Sequence, residues 1–289
     1  MKNHLVSVYL TTKNRPGFLD RALNSVKNQT YKNIEVLVCN DGSDPCFENE
    51  YNAVVRKYED AFVRFLYKKN LESQGACSSR NYLIENAGGY FVTGLDDDDF
   101  FHKQRISSFL ENYDDKYGFI CANSTHDQRL FTNVDGGHEI TFENMKFSNK
   151  VGNQIFIRKD RIRSVGGFDE AMPAWQDYDA WFRLLEIYGV AYKLKSRTMF
   201  VDVDPLRTRI STTSNAYGGY LKFIAKHKAL LTDEHLISLK YNDLINRKQR
   251  FSLFKSDLLL RPKMFAAVFK NRSAYYYPRV YKLYRVFSK

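Results

Sequence analysis

Cysteine is scarce in this chain of 289 residues, and long apolar runs are missing. Its four cysteines, Cys39, Cys46, Cys77 and Cys121, form no CxxC pair or other paired framework. Such sparse usage argues against a disulfide-stapled secreted fold and favours a reducing compartment. No apolar run reaches the ~20 residues that a membrane-spanning helix needs. We therefore expect a cytosolic protein that does not cross a membrane.

Export signals and several catalytic motifs are also missing. The apolar stretch Leu5–Leu10 is too short for a signal peptide, and no small-residue cleavage site follows it. The sequence contains no GxSxG elbow, no P-loop and no Cys–His pairing in a supporting context. The six histidines lack the spacing of zinc ligands. Hydrolase, kinase and zinc-enzyme functions therefore have little support.

Acidic residues almost disappear from the last fifty positions. Residues 240–289 hold thirteen Lys and Arg but only Asp243 and Asp257, so this segment carries the whole formal charge of +11. Because aromatic residues are interleaved with these cations, the segment suits a helix lying on an anionic membrane. The same mixture could bind nucleic acid, and a solvated basic helical cap is the plainest alternative.

Short apolar segments alternate with helical patterns as far as residue 125. The predicted strands are Leu5–Thr11, Ile34–Cys39, Val63–Tyr67, Tyr90–Leu95 and Phe119–Ala122. Helices are expected after Pro16, over Tyr51–Tyr58, from near Gln74 and from about His102 to Tyr113. This alternation predicts an α/β fold, a Rossmann-like and mostly parallel sheet flanked by helices.

Three further elements are expected after residue 126. Asp135-Gly136-Gly137 predicts a hairpin turn between Arg129–Val134 and His138–Phe142. Trp175–Tyr188 has helical spacing, and two closing strands follow it. Those strands are predicted at Val190–Leu194 and Thr198–Val203.

The character of the chain changes after residue 206, where apolar residues recur at helical spacing among many basic ones. We predict a nucleotide-sugar-binding and catalytic domain over residues 1–206. Residues 207–289 are predicted to form a helical, basic, membrane-associating extension.

Four consecutive aspartates, Asp96 to Asp99, directly follow the predicted strand Tyr90–Leu95. The carboxyl end of a parallel strand is where open α/β sheets bind ligands. Adjacent carboxylates repel one another unless a cation neutralises them, and Mg²⁺ or Mn²⁺ prefers such oxygen ligands. Because strand residues alternate, Asp96 and Asp98 should point the same way, towards nucleotide and metal respectively. An acidic turn or a helix cap, especially at Asp99, is the alternative.

Four motifs in order resemble the family 2 inverting glycosyltransferases with a GT-A fold, of the bacterial polysaccharide and O-antigen type. They are Val6–Arg15, Asn40-Asp41-Gly42-Ser43, Asn70…Gly75…Ser79-Arg80-Asn81 and Leu95–Asp99. The resemblance covers roughly residues 5–210, and the four motifs together are far more specific than any one alone.

The resemblance implies a set of contacts to a nucleotide-sugar. Thr12 and Arg15 would lie near the uridine, Asp41 would read the uracil ring, and Arg80 would face the diphosphate. Asp96 and Asp97 are also assigned to the nucleotide-sugar, and Asp98 to the metal. Asn-Asp-Gly-Ser is equally a good β-turn sequence, and Arg80 could be an ordinary surface arginine.

A second segment, Trp175–Leu184, resembles the family's Glu-Asp-x-Asp-Leu-Trp-x-Arg and implies that Asp177 is the catalytic base. Gln176 stands where the family most often has Glu. Asp177 and the weaker candidate Asp179 would also suit a first helical turn as caps. Trp175 could stack on a sugar or serve as a core or gate residue. Arg207 and Arg209 fall in the family's basic loop over the diphosphate.

We therefore expect a metal-dependent, inverting hexosyltransferase that uses Mn²⁺ or Mg²⁺. The favoured donors are UDP-glucose and UDP-galactose, and the expected acceptor is a polyprenyl-diphosphate-linked saccharide in lipopolysaccharide or other surface polysaccharide synthesis. The enzyme would be peripheral at the inner face of the cell membrane, with no nucleic-acid partner. The alternatives are a nucleic-acid-binding module and a metal-dependent nucleotidyltransferase.

Overall fold

The structure, a computed structural model, describes residues 3–202, 214–247 and 249. The chain forms two compact units. The first comprises Met1–Met145, Asn149–Met172 and Gln176–Arg207, and the second comprises Lys146–Ser148, Pro173–Trp175 and Thr208–Lys289. Two predicted features lie outside the described residues: the basic loop with Arg207 and Arg209, and nearly all of the basic segment 240–289.

Nine strands and nine longer helices are present in the described part of the chain. The strands are β1 (Val6–Thr12), β2 (Ile34–Asn40), β3 (Arg64–Lys69), β4 (Phe91–Asp96), β5 (Phe100–Phe101), β6 (Ile120–Thr125), β7 (Gly137–Thr141), β8 (Phe156–Arg158) and β9 (Val190–Phe200). The helices are α1 (Pro16–Lys27), α2 (Glu48–Tyr58), α3 (Ala76–Asn86), α4 (Arg105–Asn112), α5 (Phe142–Phe147), α6 (Lys159–Ser164), α7 (Gln176–Tyr188), α8 (Ser214–His227) and α9 (Asp233–Asn246).

One half of the sheet is a parallel block in the order β3-β2-β1-β4. Its central strands β1 and β2 are almost wholly buried, as expected for parallel strands covered on both faces. Helix α1 begins at Pro16 and packs Leu19, Leu23 and Val26 into the core. The predicted α/β class, with a mostly parallel sheet flanked by helices, is confirmed.

The other half continues as β8-β6-β9-β5, with β7 added on β9. β8 runs antiparallel to β4, whereas β6 and β9 run parallel to each other. The two predicted closing strands form the single long strand β9. Its pairing with β6 shifts register at two points between Ala122 and Ser124, so the predicted break at residues 195–197 is an irregularity inside one strand.

The predicted hairpin around Asp135-Gly136-Gly137 is wrong. Residues 137–141 pair antiparallel with β9, and Thr132 forms an isolated antiparallel bridge with Arg197 of the same strand. Both sides of the turn therefore hydrogen-bond to β9 and not to each other. Gly136 does have the positive φ, +87°, that suits a turn glycine. The strand with which the flanking residues pair, however, is decided by tertiary contacts with β9.

The second unit is described mainly by α8 and α9. Phe223 and Leu239 are fully buried within it, and the Trp175 ring lies 5.5 Å from the rings of both Tyr220 and Phe223. The Ser238 hydroxyl donates to the Phe147 carbonyl at 2.8 Å. Among the described helices, none has the length and apolar character that crossing a membrane requires.

Candidate active site

The carboxyl ends of β1, β2, β3 and β4 meet at one edge of the sheet. Register aligns Thr12 with Asn40, Asn40 with Lys69, and Thr11 with Asp96. The segments that follow these strands carry most of the residues selected from the sequence. The edge is thus the place where an open α/β sheet binds its ligand.

Asp41 follows β2 and is 6% exposed. Its Oδ1 accepts hydrogen bonds from Asn70, the Gln74 amide and Ser79, and its Oδ2 accepts from Ser73 and the Gly75 amide, all at 2.7–3.0 Å. Burial alone would raise the pKa of Asp41, but the hydrogen bonds outweigh it and hold the pKa below its ordinary value. The ionised carboxylate fastens the loop before α3 to the end of β2.

The loop that Asp41 holds leads directly into α3. Gly75 precedes the helix with a φ of +91°, a left-handed conformation that suits glycine. Ser79 lies in the first turn and Arg80 follows it, so the bond from Ser79 to Asp41 also fixes where Arg80 emerges. The predicted contact of Asp41 with a uracil ring stays a prediction; its observed partners are protein groups.

Arg80 lies between two carboxylates. Its Nη2 is 2.8 Å from Oδ1 of Asp96, and its Nη1 is 3.3 Å from Oδ1 of Asp177. The guanidinium carbon stands 5.3 Å from the centre of the Phe168 ring. Burial would lower the pKa of Arg80, but Asp96 and Asp177 outweigh burial and raise it, so the cation persists. To contact a diphosphate, the Arg80 guanidinium would have to bind it alongside Asp96 and Asp177 or release one of these two carboxylates.

Asp177 lies in the first turn of α7, and 22% of its side chain is exposed. Burial raises its pKa to about 7, Arg80 opposes this rise, and Asp96 adds to it. A carboxylate with a pKa near neutrality can accept a proton and still be largely ionised in mildly basic solution. Position and pKa therefore both suit a general base.

Asp179 differs from Asp177 although it is only two residues away. It is fully buried and forms an ion pair with Arg183 at 2.8 Å. Arg183 in turn donates to the carbonyls of Val165 and Gly167. Asp179 thus helps to hold the turn before Phe168, and its geometry gives it no direct role at an acceptor.

The four aspartates point to different partners because β4 ends at Asp96. Asp97 and Asp98 form a turn, which the Asp99 amide closes by donating to the Asp96 carbonyl at 3.0 Å. Strand alternation ends with Asp96, so Asp98 does not point the same way as Asp96, contrary to the prediction. Asp96 accepts from Arg80, Asn153 and Gln154, whereas Asp98 lies 3.3 Å from Arg15 and is 30% exposed.

Asp97 and Asp99 are the buried members of the run, each 2% exposed. Asp97 lies 3.2 Å from Arg15, and its second oxygen has no hydrogen-bond partner among the described residues. Burial raises the pKa of Asp97 to about 7, with Arg15 opposing the rise. Burial, with Asp96 and Asp98 adding to it, raises the pKa of Asp99 to about 8. Both buried carboxyl groups therefore hold their protons more tightly than an exposed aspartate does.

The donor set at the turn fits a hard divalent cation. Within the described ranges, no group of three His, Cys, Asp or Glu side chains forms a ready-made metal cage. Mg²⁺ at nucleotide sites, however, is usually held by one or two carboxylates together with substrate phosphates. Asp98, the more exposed carboxylate of the turn, supplies the required oxygen chemistry, and the second oxygen of Asp97 in the same turn has no hydrogen-bond partner among the described residues.

The remaining predicted residues are distributed between the two units. In the first unit, the Thr12 hydroxyl lies 3.0 Å from that of Tyr51, which also accepts from the Arg15 amide at 2.9 Å. Gln176 is the first residue of α7. Trp175 belongs to the second unit and has a left-handed φ of +64°.

Sequence reasoning missed several residues that support the site. Asn153 and Gln154 precede β8 and donate to Asp96, and Asn153 also donates to Asp99. Their proximity comes from β8 pairing with β4, which no local pattern indicates. Gly94 provides the space: a Cβ there would lie 2.0 Å from Oε1 of Gln154 and 2.7 Å from the Tyr9 ring.

Comparison with known proteins identifies relatives of the chain. It is 30% identical over 243 residues to the putative colanic acid biosynthesis glycosyl transferase WcaA of Escherichia coli, covering 79% of this chain and 83% of that protein. Other curated relatives are longer, and the chain spans only 28% and 32% of two of them.

Solved structures share the fold at low sequence identity. S. aureus TarS superposes with a TM-score of 0.64 at 16% identity, over 95% of this chain and 82% of the TarS fragment. The mannosyltransferase PcManGT of Pyrobaculum calidifontis, in complex with GDP-Man and Mn²⁺, gives a TM-score of 0.58 at 14% identity, over 99% of this chain and 80% of that chain.

The family model described as "Glycosyl transferase family 2" matches residues 7–168, more than half of the chain and including β1 to β8. This match includes the carboxyl-edge segments from Thr12 to Asp99. The fold, the relatives and the family model agree, and the chain belongs to glycosyl transferase family 2.

Proposed function

We propose that this enzyme transfers a hexose from a UDP-sugar to a sugar hydroxyl with inversion at the anomeric carbon. The observation that carries the proposal is the pair of contacts made by Arg80. Its guanidinium lies between two carboxylates. One is Asp96, at the carboxyl edge of the sheet where we propose that the donor binds, and the other is Asp177, the candidate base. A direct displacement needs such a base within reach of the donor.

In the proposed reaction, Asp177 accepts the proton of the acceptor hydroxyl. The acceptor oxygen forms a bond to the anomeric carbon while the bond from that carbon to the diphosphate oxygen breaks. The nucleoside diphosphate leaves with the bonding electron pair. Asp98 would hold a divalent cation, which would supply charge stabilisation to the diphosphate leaving group.

The choice of donor rests on resemblance and on structural relatives. TarS has been crystallised in complex with UDP-GlcNAc, and that structure gives a TM-score of 0.58 over 93% of this chain. PcManGT is described with GDP-Man and Mn²⁺. A nucleotide-sugar with Mn²⁺ or Mg²⁺ is therefore supported as a class, and UDP-glucose and UDP-galactose are our proposed members.

The proposed acceptor is a polyprenyl-diphosphate-linked saccharide of surface polysaccharide synthesis, at the inner face of the cell membrane. Support comes from the colanic acid assignment in the name of WcaA and from the basic, aromatic segment 240–289. An anionic bilayer and a lipid diphosphate would both attract such a segment. Membership of a glycosyltransferase family weighs against the nucleic-acid-binding and nucleotidyltransferase alternatives.

A donor panel tests the proposal. Thermal unfolding of the protein would be followed with UDP-glucose, UDP-galactose, UDP-GlcNAc and GDP-mannose, each with Mn²⁺, with Mg²⁺ and with EDTA. We expect stabilisation by a UDP-hexose that depends on the metal, since ligand binding to the native state raises the unfolding temperature. Release of UDP with a saccharide acceptor would then establish transfer. Stabilisation by GDP-mannose alone would reject the UDP-sugar assignment.

A further inference from the structure

The Arg80 guanidinium is enclosed by protein groups. Only 9% of the side chain is exposed, against 27% for Asp96 and 22% for Asp177. Different nitrogens of the guanidinium face the two carboxylates, and the Phe168 ring lies beside its carbon at 5.3 Å. The group is therefore already used in ion pairing before any ligand is considered.

Neighbouring contacts leave Arg80 little freedom to move. Ser79 is bound to Asp41, and Asn81 donates to the Phe168 carbonyl and accepts from the Phe168 amide, both at 2.8 Å. The residues before and after Arg80 are thus fixed to β2 and to the turn that carries Phe168. This fixes the point from which the Arg80 side chain starts, and its contacts with Asp96, Asp177 and the Phe168 ring hold the guanidinium itself.

We propose that Arg80 is a positioning residue for the base Asp177 and not primarily a ligand of the donor diphosphate. Its guanidinium favours the ionised form of the Asp177 carboxylate and holds that carboxylate at a fixed separation from Asp96. This inference rests on the proposed function, because it assigns Asp177 as the base of the transfer.

The charges around Asp177 determine how the site should respond to loss of Arg80. Among the residues that the structure describes, the groups that act on Asp177 are Arg80 and Cys77 from α3, Asp96 from the end of β4, and Tyr9 from β1. Burial raises the pKa of Cys77 to about 11 and also raises the pKa of Tyr9, so both stay neutral near pH 7. Arg80 therefore supplies positive charge that opposes the effects of burial and Asp96, and without Arg80 the pKa of Asp177 should rise.

The test compares R80M and R80K with the wild-type chain at fixed Mn²⁺, measuring kcat and the donor KM over a range of pH. For R80M we expect the acid limb of kcat to move up by about one pH unit or more. Activity near neutrality should fall about tenfold or more and return in alkaline solution, while the donor KM changes less than about threefold. R80K should show a smaller shift in the same direction, because a lysine is charged but cannot contact both carboxylates as a fork.

A matched control is R64M, since Arg64 also pairs with a buried carboxylate, Glu35, at 3.0 Å. The acid limb of the kcat–pH profile of R64M should coincide with that of the wild type. If R80M does not fold, the pH profile of R80K tests the inference. Calorimetric titration with UDP measures nucleotide affinity independently of turnover. We expect UDP affinity in R80K to be close to wild type.

Two results would overturn the inference while leaving the proposed function in place. One is a donor KM that rises tenfold or more with an unchanged acid limb, which would make Arg80 a diphosphate ligand. The other is activity that alkaline pH does not restore in either variant. A wild-type chain that binds no nucleoside diphosphate and transfers no sugar would overturn both proposals together.

Discussion

At the scale of single residues, Asp177 and Asp179 show how burial separates two similar side chains. Asp179 is fully buried and neutralised by Arg183, whereas Asp177 is partly exposed at the edge of the sheet. Asp177 combines this partial exposure with a pKa near neutrality. This difference makes the role of Asp177 directly testable.

We expect D177N to retain UDP binding and to lose turnover by roughly 10²–10⁴-fold, the usual contribution of a general base. Asparagine preserves the size of the side chain but cannot accept the proton. Transfer is measured by UDP release, and nucleotide binding by calorimetry. D160N, at an exposed position of α6, is the control and should behave as wild type. Retention of most of the rate in D177N would remove Asp177 from the mechanism.

Asp98 is the carboxylate through which we propose that the metal acts. D98A should abolish metal-dependent stabilisation by UDP-sugars and lower transfer at least about 100-fold, because the cation would lose its protein ligand. The comparison is D114A, which removes an exposed aspartate that is distant in sequence from the turn. Full activity of the wild-type protein in EDTA would contradict the metal proposal.

At the scale of elements, the acidic turn after β4 should make stability depend on pH. The pKa values of Asp97 and Asp99 are raised in the folded protein, to about 7 and about 8, from an ordinary value of 3.8. Above about pH 4 the unfolded chain has already lost these protons, whereas the native state holds them until the pH approaches 7 or 8. The two residues therefore lower stability progressively between about pH 4 and 8.

Thermal unfolding at several pH values in EDTA checks this expectation. The wild type should lose more stability than D97N as pH rises, because asparagine cannot ionise. Mn²⁺ should reduce the loss by binding the ionised turn in the native state. If the two proteins lost stability in parallel as pH rises in EDTA, the pKa of Asp97 would be the same in the folded and unfolded states, and the expectation would be wrong.

Local sequence patterns predicted the elements that depend on local chemistry. Apolar runs located the strands of the parallel block to within about two residues, and Pro16 located the start of α1. The carboxyl-end rule then brought Asp41 and Asp96 to one edge without any tertiary information. This part of the site could be predicted because strand ends in a parallel sheet share an edge.

The missed features depend on contacts between distant segments. The 137–141 strand pairs with β9, fifty residues later in the chain, and turn residues alone could not reveal that partner. Asn153 and Gln154 reach Asp96 only because β8 is inserted beside β4. Asp98 does not share the direction of Asp96 because a turn begins at Asp97, directly after the strand ends.

At the scale of the whole molecule, net charge and chemistry are separated along the chain. Residues 1–239 hold equal numbers of acidic and basic side chains, and residues 240–289 carry the excess of +11. The predicted division at residue 206 and the membrane role of the basic segment both stay predictions. They lead to one experiment on the intact chain and a shortened form.

Removal of residues 250–289 should weaken sedimentation with anionic vesicles while sparing transfer to short, water-soluble acceptors. The reason is that this deletion removes most of the excess positive charge and leaves the described catalytic unit unchanged. Vesicles of neutral lipid provide the control, and raised salt should release the intact protein. Equal binding of both forms to anionic vesicles would exclude a membrane role for the segment.

Gly94 sets a limit on how far this sequence can vary. The space above it is filled by the buried Tyr9 ring and by Gln154, whose amide donates to Asp96. Even one added methyl group would have to displace an aromatic ring or withdraw a hydrogen bond from that carboxylate. In a library randomised at position 94, active clones should therefore return to glycine, although the residue itself carries no functional group.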